Sequence, residues 1–354
     1  MGLSDVCPGE YTDSDVTYSL SELLEMYNKG EIDGVLQTEP ENTYYTNILK
    51  QIGIPDIYII PENIKENECI KRYSDIGSVL NQIEFHLADH CNLNCRGCAH
   101  FSNLVSSPVY ADYEQFNKDI HKLSEYFSQI KTIYLLGGEH LLNKDIGSFI
   151  ISARDAFPYA CITVVTNGIL LLSISDDLIQ IIKDNNVLIS ISDYECLDNN
   201  KIVTFIKEHE LNAELRLEKE SFAKHINIHG DSDKKVIFNQ CMRRNCTFLS
   251  RGMMAACCTP FLNKYFNERY NEKLPEMDKN DCIDIYEPGL DGWKIKNRLI
   301  QHMELCIYCG EDVSFKWGIS HEPIIKSQGT WVGAFMLRPF PRLYIIPFLT
   351  RTMR

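Results

Sequence analysis

Between residues 82 and 235 the chain repeats one texture: a short apolar run, a glycine-bearing or polar turn, then a longer amphipathic stretch. The runs Ile83-Glu-Phe-His-Leu87, Thr132-Ile-Tyr-Leu-Leu136, Ile162-Thr-Val-Val-Thr166, Val187-Leu-Ile-Ser-Ile191 and Ala213-Glu-Leu-Arg-Leu217 read as strands. Helical patterns lie between them near 112–128, 143–156, 174–184 and 199–209. This alternation predicts an α/β fold with parallel strands and helical crossovers. Alternate side chains of a strand point to opposite faces, so Ile83, Phe85 and Leu87 share one face, and Glu84 and His86 share the other. Leu215 and Leu217 oppose Glu214 and Arg216 in the same way. A sheet covered by helices on both faces favours near-continuous apolar runs, whereas here one face stays polar. Closure into a full or partial barrel, with helices outside and a polar lumen, explains this. A doubly wound sheet with a few satisfied polar groups is the alternative.

Outside this stretch the rhythm fails. Residues 1–80 form an N-terminal αβ appendage, with Tyr44 to Ile52 helical, Gly53 ending the helix and Asp56 to Ile60 a strand before Pro61. The barrel takes 81–235, and a cysteine-rich module takes 236–322. The tail, 323–354, has no acidic residue from Pro323 onward and is broken by Pro339, Pro341 and Pro347, which prevent a long helix.

Composition narrows the function. Apolar residues at 44% and charged residues at 24% are globular values, so a largely disordered chain is excluded. A net charge of −14 makes a general nucleic-acid binder a poor reading. Neither an apolar run long enough for a transmembrane segment nor a signal-peptide pattern is present in the sequence, so a cytoplasmic protein is expected. Fourteen cysteines in such a chain read as metal or redox ligands rather than disulfides.

Three of them, in His90-Cys91-Asn-Leu-Asn-Cys95-Arg-Gly-Cys98, stand on one short loop just after the first strand. Soft thiolates at this spacing suit three corners of a cubane iron–sulfur cluster, leaving one iron for a ligand from outside. Zinc completed by His90 or His100 is the alternative. About forty residues later Gly137-Gly138-Glu139-His140 ends the second strand. Two glycines there let backbone approach a ligand, at the strand end where α/β barrels assemble active sites.

Together these residues resemble the radical S-adenosylmethionine (SAM) superfamily, over about 82–235, through the Cys-x3-Cys-x2-Cys motif. The resemblance implies a partial (β/α)6 TIM-like barrel with a [4Fe-4S] cluster on Cys91, Cys95 and Cys98. The open iron of that cluster chelates SAM, and reductive cleavage gives a 5′-deoxyadenosyl radical. It further implies that Gly137, Gly138 and Glu139 contact the methionine amino group. Thr166, Asn167, Ser190 and Ser192 match positions at SAM ribose or carboxylate, and Arg216 could pair with the carboxylate. Two departures stand out: Gly97 replaces the usual aromatic residue near adenine, and His140 replaces the usual proline. His140 is either a solvated turn residue or a catalytic acid or base.

Residues 236–320 carry seven of the fourteen cysteines. Cys241, Cys257 and the pair Cys306-Ile-Tyr-Cys309 resemble the twitch module, a shorter relative of the SPASM domain. The resemblance implies an auxiliary [4Fe-4S] cluster on those four thiols that relays an electron; structural zinc is the alternative. Cys246, Cys258 and Cys282 are surplus, and Cys246 or Cys258 could compete for a ligand position.

The expected function is a radical SAM oxidoreductase or epimerase, served by an electron donor such as flavodoxin or ferredoxin. Its polar lumen favours a sugar-like small-molecule substrate, with Glu84 and His86 as candidate catalytic groups. The polar groups of the lumen could instead satisfy one another as a closed network. Modification of a peptide or protein side chain is the second reading, and a non-catalytic iron–sulfur or zinc scaffold the third.

Overall fold

The computed structural model describes residues 78–194, 196–216 and 221–319, together with 19–32, 34–37, 49, 53–54, 57–59 and 71–72 toward the N-terminus. The tail expected from 323 onward lies outside the described residues, as do Leu217 and most of the helix expected over 44–52.

The strands of the repeating stretch are β4 (Ser78–Ala88), β5 (Phe127–Gly137), β6 (Cys161–Thr166), β7 (Leu188–Ser192) and β8 (Ala213–Arg216). Before them stand α1 (Leu20–Asn28) and the short strands β1 (Val35–Gln37), β2 (Ile57–Ile59) and β3 (Lys71–Arg72). Strands β4 to β8 pair in chain order, all parallel. The crossovers are α2 (Tyr113–Ser124), α3 (Ile146–Ala156), α4 (Asp176–Asp184) and α5 (Asn199–Glu208). Local chemistry fixes where three of them begin: Asp112, Ser175 and Asp198 each accept a hydrogen bond from a first-turn amide, satisfying donors that no helical carbonyl can reach.

The apolar face of β4 is core. Ile83, Phe85 and Leu87 are buried with Phe116, Ile120 and Leu123 of α2 and Phe149 of α3. Phe85 meets Phe116 edge-on at 4.8 Å, and Phe116 meets Phe149 at the same separation. The other face carries a polar row set by register, in which Glu84 pairs with Tyr134 and Tyr134 with Thr163, while Ser192 pairs with Arg216.

The sixth strand of the expected (β/α)6 unit is placed otherwise. After β8 the chain enters β9 (Ser221–Ile226), which pairs with the distant β13 (Cys309–Lys316) in a separate two-stranded ribbon. The chain then crosses α6 (Lys234–Gln240) and returns at the far edge of the sheet. There β10 (Phe248–Ser250) pairs parallel with β4, followed antiparallel by β11 (Met253–Ala255) and β12 (Ile283–Asp284). The parallel array is therefore five strands in sequence order, with a sixth beside the first. Helices α7 (Thr259–Tyr270) and α8 (Gly292–Leu299) complete this region.

At the N-terminal side, β1 pairs parallel with β2 and β2 antiparallel with β3. Leu49, Ile54 and Ile57 form a small core of their own, packed by Leu23, Leu24, Tyr27, Val35 and, from α8, Trp293. Among the described residues no helix is long and apolar enough to cross a membrane.

One buried carboxylate fastens the β10–β11 turn to helix α2 beside the parallel sheet. Asp119 of α2 accepts from Gln115 Nε2 at 2.8 Å, from the Gly252 amide at 2.9 Å and from the Tyr286 hydroxyl at 2.7 Å. Gly252 forms the β10–β11 turn at φ +74°, so its amide has a fixed direction. Asp119→Ala leaves that buried amide without an acceptor and should lower unfolding free energy by about 2–4 kcal/mol. Asp119→Asn should lose less. Denaturant unfolding followed by circular dichroism measures the difference.

Candidate functional site

The cysteine loop leaves the C-terminal end of β4 and is held from three directions. The turn after β5 lies against it: the Gly138 amide donates to the Ala88 carbonyl at 2.8 Å and the Glu139 amide to the His90 carbonyl at 3.0 Å. This contact demands glycine. A Cβ on Gly137 would stand 2.2 Å from the Ala88 oxygen, and one on Gly138 would stand 2.1 Å from the His90 oxygen. From the end of β6, Asn167 Nδ2 donates to Asn92 Oδ1 at 2.7 Å and lies 3.6 Å from Cys91 Sγ. From the C-terminal side, the Arg96 amide donates to the Gly318 carbonyl at 2.9 Å.

Cys91, Cys95 and Cys98 open onto a cavity of about 640 Å³. The ends of the neighbouring strands line the same space, with Gly137 and Gly138 after β5, Thr166 and Asn167 after β6, Ser192 of β7 and Arg216 of β8. Glu84 of β4 lies in its wall, and Tyr134, Tyr194 and Cys246 also reach it. Burial pushes the Cys91 and Cys95 thiols up to about 12. Thiols so placed become thiolates only when a cation replaces the proton.

Four of the expected site residues lie elsewhere. Glu139 is fully enclosed; its carboxylate accepts from Thr166 Oγ1 at 3.0 Å, from the Asn167 amide at 2.9 Å and from the Leu141 amide at 3.1 Å. Burial raises its carboxyl to about 7, and these hydrogen bonds oppose the rise. Its neighbour His140 is also fully buried, and neither ring nitrogen has a hydrogen-bond partner. Burial holds the imidazole neutral, down to about 3. Ser190 is buried and donates to Glu214 at 2.6 Å. His86 faces a different, smaller cavity, with Nδ1 2.9 Å from Asp89 Oδ1 and Nε2 2.9 Å from His100 Nδ1.

The polar face of the sheet thus divides into separate partnerships rather than one network. Burial raises the Glu84 carboxyl, against an opposing hydrogen bond with the Cys246 thiol and the nearby His86. Glu214 and Arg216 pair at 3.3 Å near the surface. Burial alone would raise Asp89, but His86, Tyr265 and Lys264 outweigh it and hold the carboxyl at about 2.

A second cavity, of about 320 Å³, is lined by Cys241, Cys257, Cys306 and Cys309. Burial pushes Cys257 up to about 11 and Cys306 to about 12. His225 of β9 lines it too, buried and with Nδ1 lacking a partner. Cys246 and Cys258, surplus in sequence, are not among the lining residues. Met242, Arg243 and Asp312 line both cavities, and Arg243 Nη1 meets Asp312 Oδ1 at 3.0 Å in the wall between them.

Among the described residues no group of three or more His, Cys, Asp or Glu could hold a single metal ion. Each thiol set lines a cavity that could receive an iron–sulfur group, for which soft sulfur donors are the appropriate chemistry. Of the histidines beside the first loop, His90 Nδ1 lies 3.1 Å from the Val109 carbonyl and His100 Nδ1 lies 2.9 Å from His86 Nε2. His225, Tyr194, Arg243 and Trp317 carry no motif, and spacing alone gives no signal for them.

Residues 86–193 match the model of the Radical SAM superfamily, so this part of the chain is a radical SAM domain. No curated protein matches the chain. Among solved structures, BtrN in complex with AdoMet and 2-DOIA is 14% identical, covering 66% of this chain and 94% of that one at a TM-score of 0.41. Native anSMEcpe with bound AdoMet is 16% identical, covering 38% of this chain and 43% of that one at a TM-score of 0.31. Streptococcus suis SuiB bound to S-adenosylmethionine is 12% identical, covering 39% of this chain and 40% of that one at 0.28. This chain therefore spans less than half the length of the last two.

Two substitutions test the geometry. Gly138→Ala should force the β5 turn away from the cysteine loop and lower the iron bound by reconstituted protein, measured by iron assay. His140→Leu should leave activity intact and reduce acid lability. The folded-state pKa of His140 lies below its unfolded value of about 6.5, so the wild type loses stability as pH falls from there toward 3. Unfolding midpoints of both proteins across that range check the sign.

Proposed function

We propose that the chain is a radical SAM enzyme that removes a hydrogen atom from a polar, hydroxyl-bearing small molecule, with a second iron–sulfur cluster on Cys241, Cys257, Cys306 and Cys309. The observation that supports this best is the convergence of Cys91, Cys95, Cys98, Gly137, Gly138 and Arg216 on one cavity. Most of that convergence falls where the superfamily model matches. A [4Fe-4S] cluster on the three thiols, with SAM bound, supplies a 5′-deoxyadenosyl radical by reductive cleavage.

The chain's own residues bind and orient. Gly137 and Gly138 bring bare backbone to the cavity wall, which suits the methionine end of SAM. Arg216 has its Nε turned to Glu214, which orients the guanidinium for a carboxylate. Gln82, Glu84, Tyr134, Ser192 and Asp312 give the cavity hydrogen-bonding groups that match hydroxyls rather than an apolar substrate. Glu84, with its carboxyl raised by burial, is suited to exchange a proton with a substrate hydroxyl. Cys241, Cys257, Cys306 and Cys309 would hold the second cluster, which would supply an electron acceptor, and Arg243 and Asp312 line both cavities.

Anaerobically reconstituted protein should hold about eight iron atoms per chain, four for each cubane. Replacing Cys91, Cys95 and Cys98 together by Ala should remove about half the iron and all SAM cleavage; surviving cleavage would sink this reading. Replacing Cys306 and Cys309 should spare SAM cleavage and abolish turnover of the substrate.

A further inference from the structure

The described chain ends by crossing the first cysteine loop. Strand β13 pairs with β9 as far as Lys316 opposite Ser221, and the next three residues leave the ribbon. Gly318 accepts from the Arg96 amide at 2.9 Å, and Ile319 forms an isolated antiparallel bridge with Cys95. The approach is close, since a Cβ on Gly318 would stand 2.7 Å from Arg96 Nη2. Residues 317–319 are thus a strap laid along the backbone of the cysteine loop at Cys95 and Arg96.

Trp317 opens the strap and is 6% exposed. Its ring stacks on Tyr194, with centroids 5.0 Å apart and planes 22° apart, and Tyr194 in turn lines the large cavity. The indole N–H is buried with no partner in hydrogen-bonding geometry. Indole can only donate, and a buried donor without an acceptor costs about 1–3 kcal/mol. Tryptophan is therefore an expensive choice here unless an acceptor is completed. Ile319, two residues on, bridges Cys95, so the Cys95 sulfur is the acceptor that the N–H approaches. A neutral thiol is a weak acceptor, whereas a ligating thiolate is a strong one.

We propose that Trp317 is a positioning residue of the first cysteine site: its indole N–H is held for the Cys95 sulfur as a cluster ligand, fixing that sulfur and raising the reduction potential of the cluster. The sign follows from charge. A donor aimed at a cluster sulfur places partial positive charge beside the group that gains an electron, and the reduced, more negative form benefits more. Cys91 is served differently, taking its donors from the Leu93 amide at 3.4 Å and from Asn167. The inference rests on the reading that Cys91, Cys95 and Cys98 hold a cluster.

The test compares full-length, anaerobically reconstituted wild type, Trp317→Phe and Trp317→Gln by iron assay and by electron paramagnetic resonance during redox titration. The first site's signal is the one missing from the Cys91, Cys95 and Cys98 triple variant. Trp317→Phe keeps an aromatic ring against Tyr194 but has no N–H. Its first-site midpoint should move to more negative potential while the second-site midpoint stays in place, and Trp317→Gln, which restores a donor, should move part of the way back. An unchanged first-site midpoint in Trp317→Phe with iron retained overturns the proposal. If Trp317→Phe sheds iron, Trp317→Gln decides: iron retained with the donor restored supports it, and equal loss overturns it. A wild-type spectrum identical to that of the triple variant overturns the cluster reading itself, and the proposal with it.

Discussion

The carboxylate of Glu139 has no contact with water, and it is held by groups from two strand ends at once. Its oxygens take the Thr166 hydroxyl and the Asn167 amide from the end of β6, while its own amide and that of Gly138 reach back to the end of β4. Three neighbouring strands are thereby tied at the edge where the cysteine loop begins. A buried carboxylate is tolerated only when its lone pairs are filled, so each of these partners is needed by the others. The loop geometry, the position of Asn167 beside Cys91 and the shape of the large cavity all depend on that knot. The Gly-Gly-Glu sequence therefore has a structural reason apart from any ligand: two glycines allow contact with the preceding strand, and the acid locks it.

Much of this was legible in the sequence. The five strands and four helices fall close to where periodicity places them, because each crossover helix carries a clear apolar stripe and most carry a capping side chain. The cysteine triplet was legible because its ligand pattern is local. What periodicity missed depends on distant chain. Nothing in residues 213–226 announces that β8 is followed by a ribbon strand instead of a helix, or that β10 returns beside β4. His140 illustrates the same limit. A polar residue after a turn reads as solvated, yet the close approach of two glycines to Ala88 and His90 draws the turn inward and buries the ring.

Side-chain alternation identified a polar face correctly as a pattern but could not apportion it. Glu84 and His86 leave β4 on the same side, two residues apart, and face different cavities. The entry of Phe248 beside β4 contributes to that division, since its ring meets His86 edge-on at 4.9 Å. Arg216 keeps a place at the large cavity while Glu214, its partner, turns to Ser190. A strand pattern gives direction from the sheet, whereas the boundaries between cavities are drawn by loops and edge strands far away in sequence.

Strand β13 begins at Cys309 in the wall of one thiol cavity and ends, at about 3.3 Å per residue, roughly 25 Å away at the strap beside Cys95. A single extended segment thus has one anchor in each thiol set. Its length is fixed by covalent geometry, so the placement of the strap is a matter of registration: slippage at the Cys309 end would reach the Trp317 end unless it were absorbed on the way. The bulge between Cys309 and Val313 is the place along the strand where such slack could be taken up. The two thiol sites are in this sense machined on a common rod, and the order in which each becomes ordered is a mechanical question as much as a chemical one.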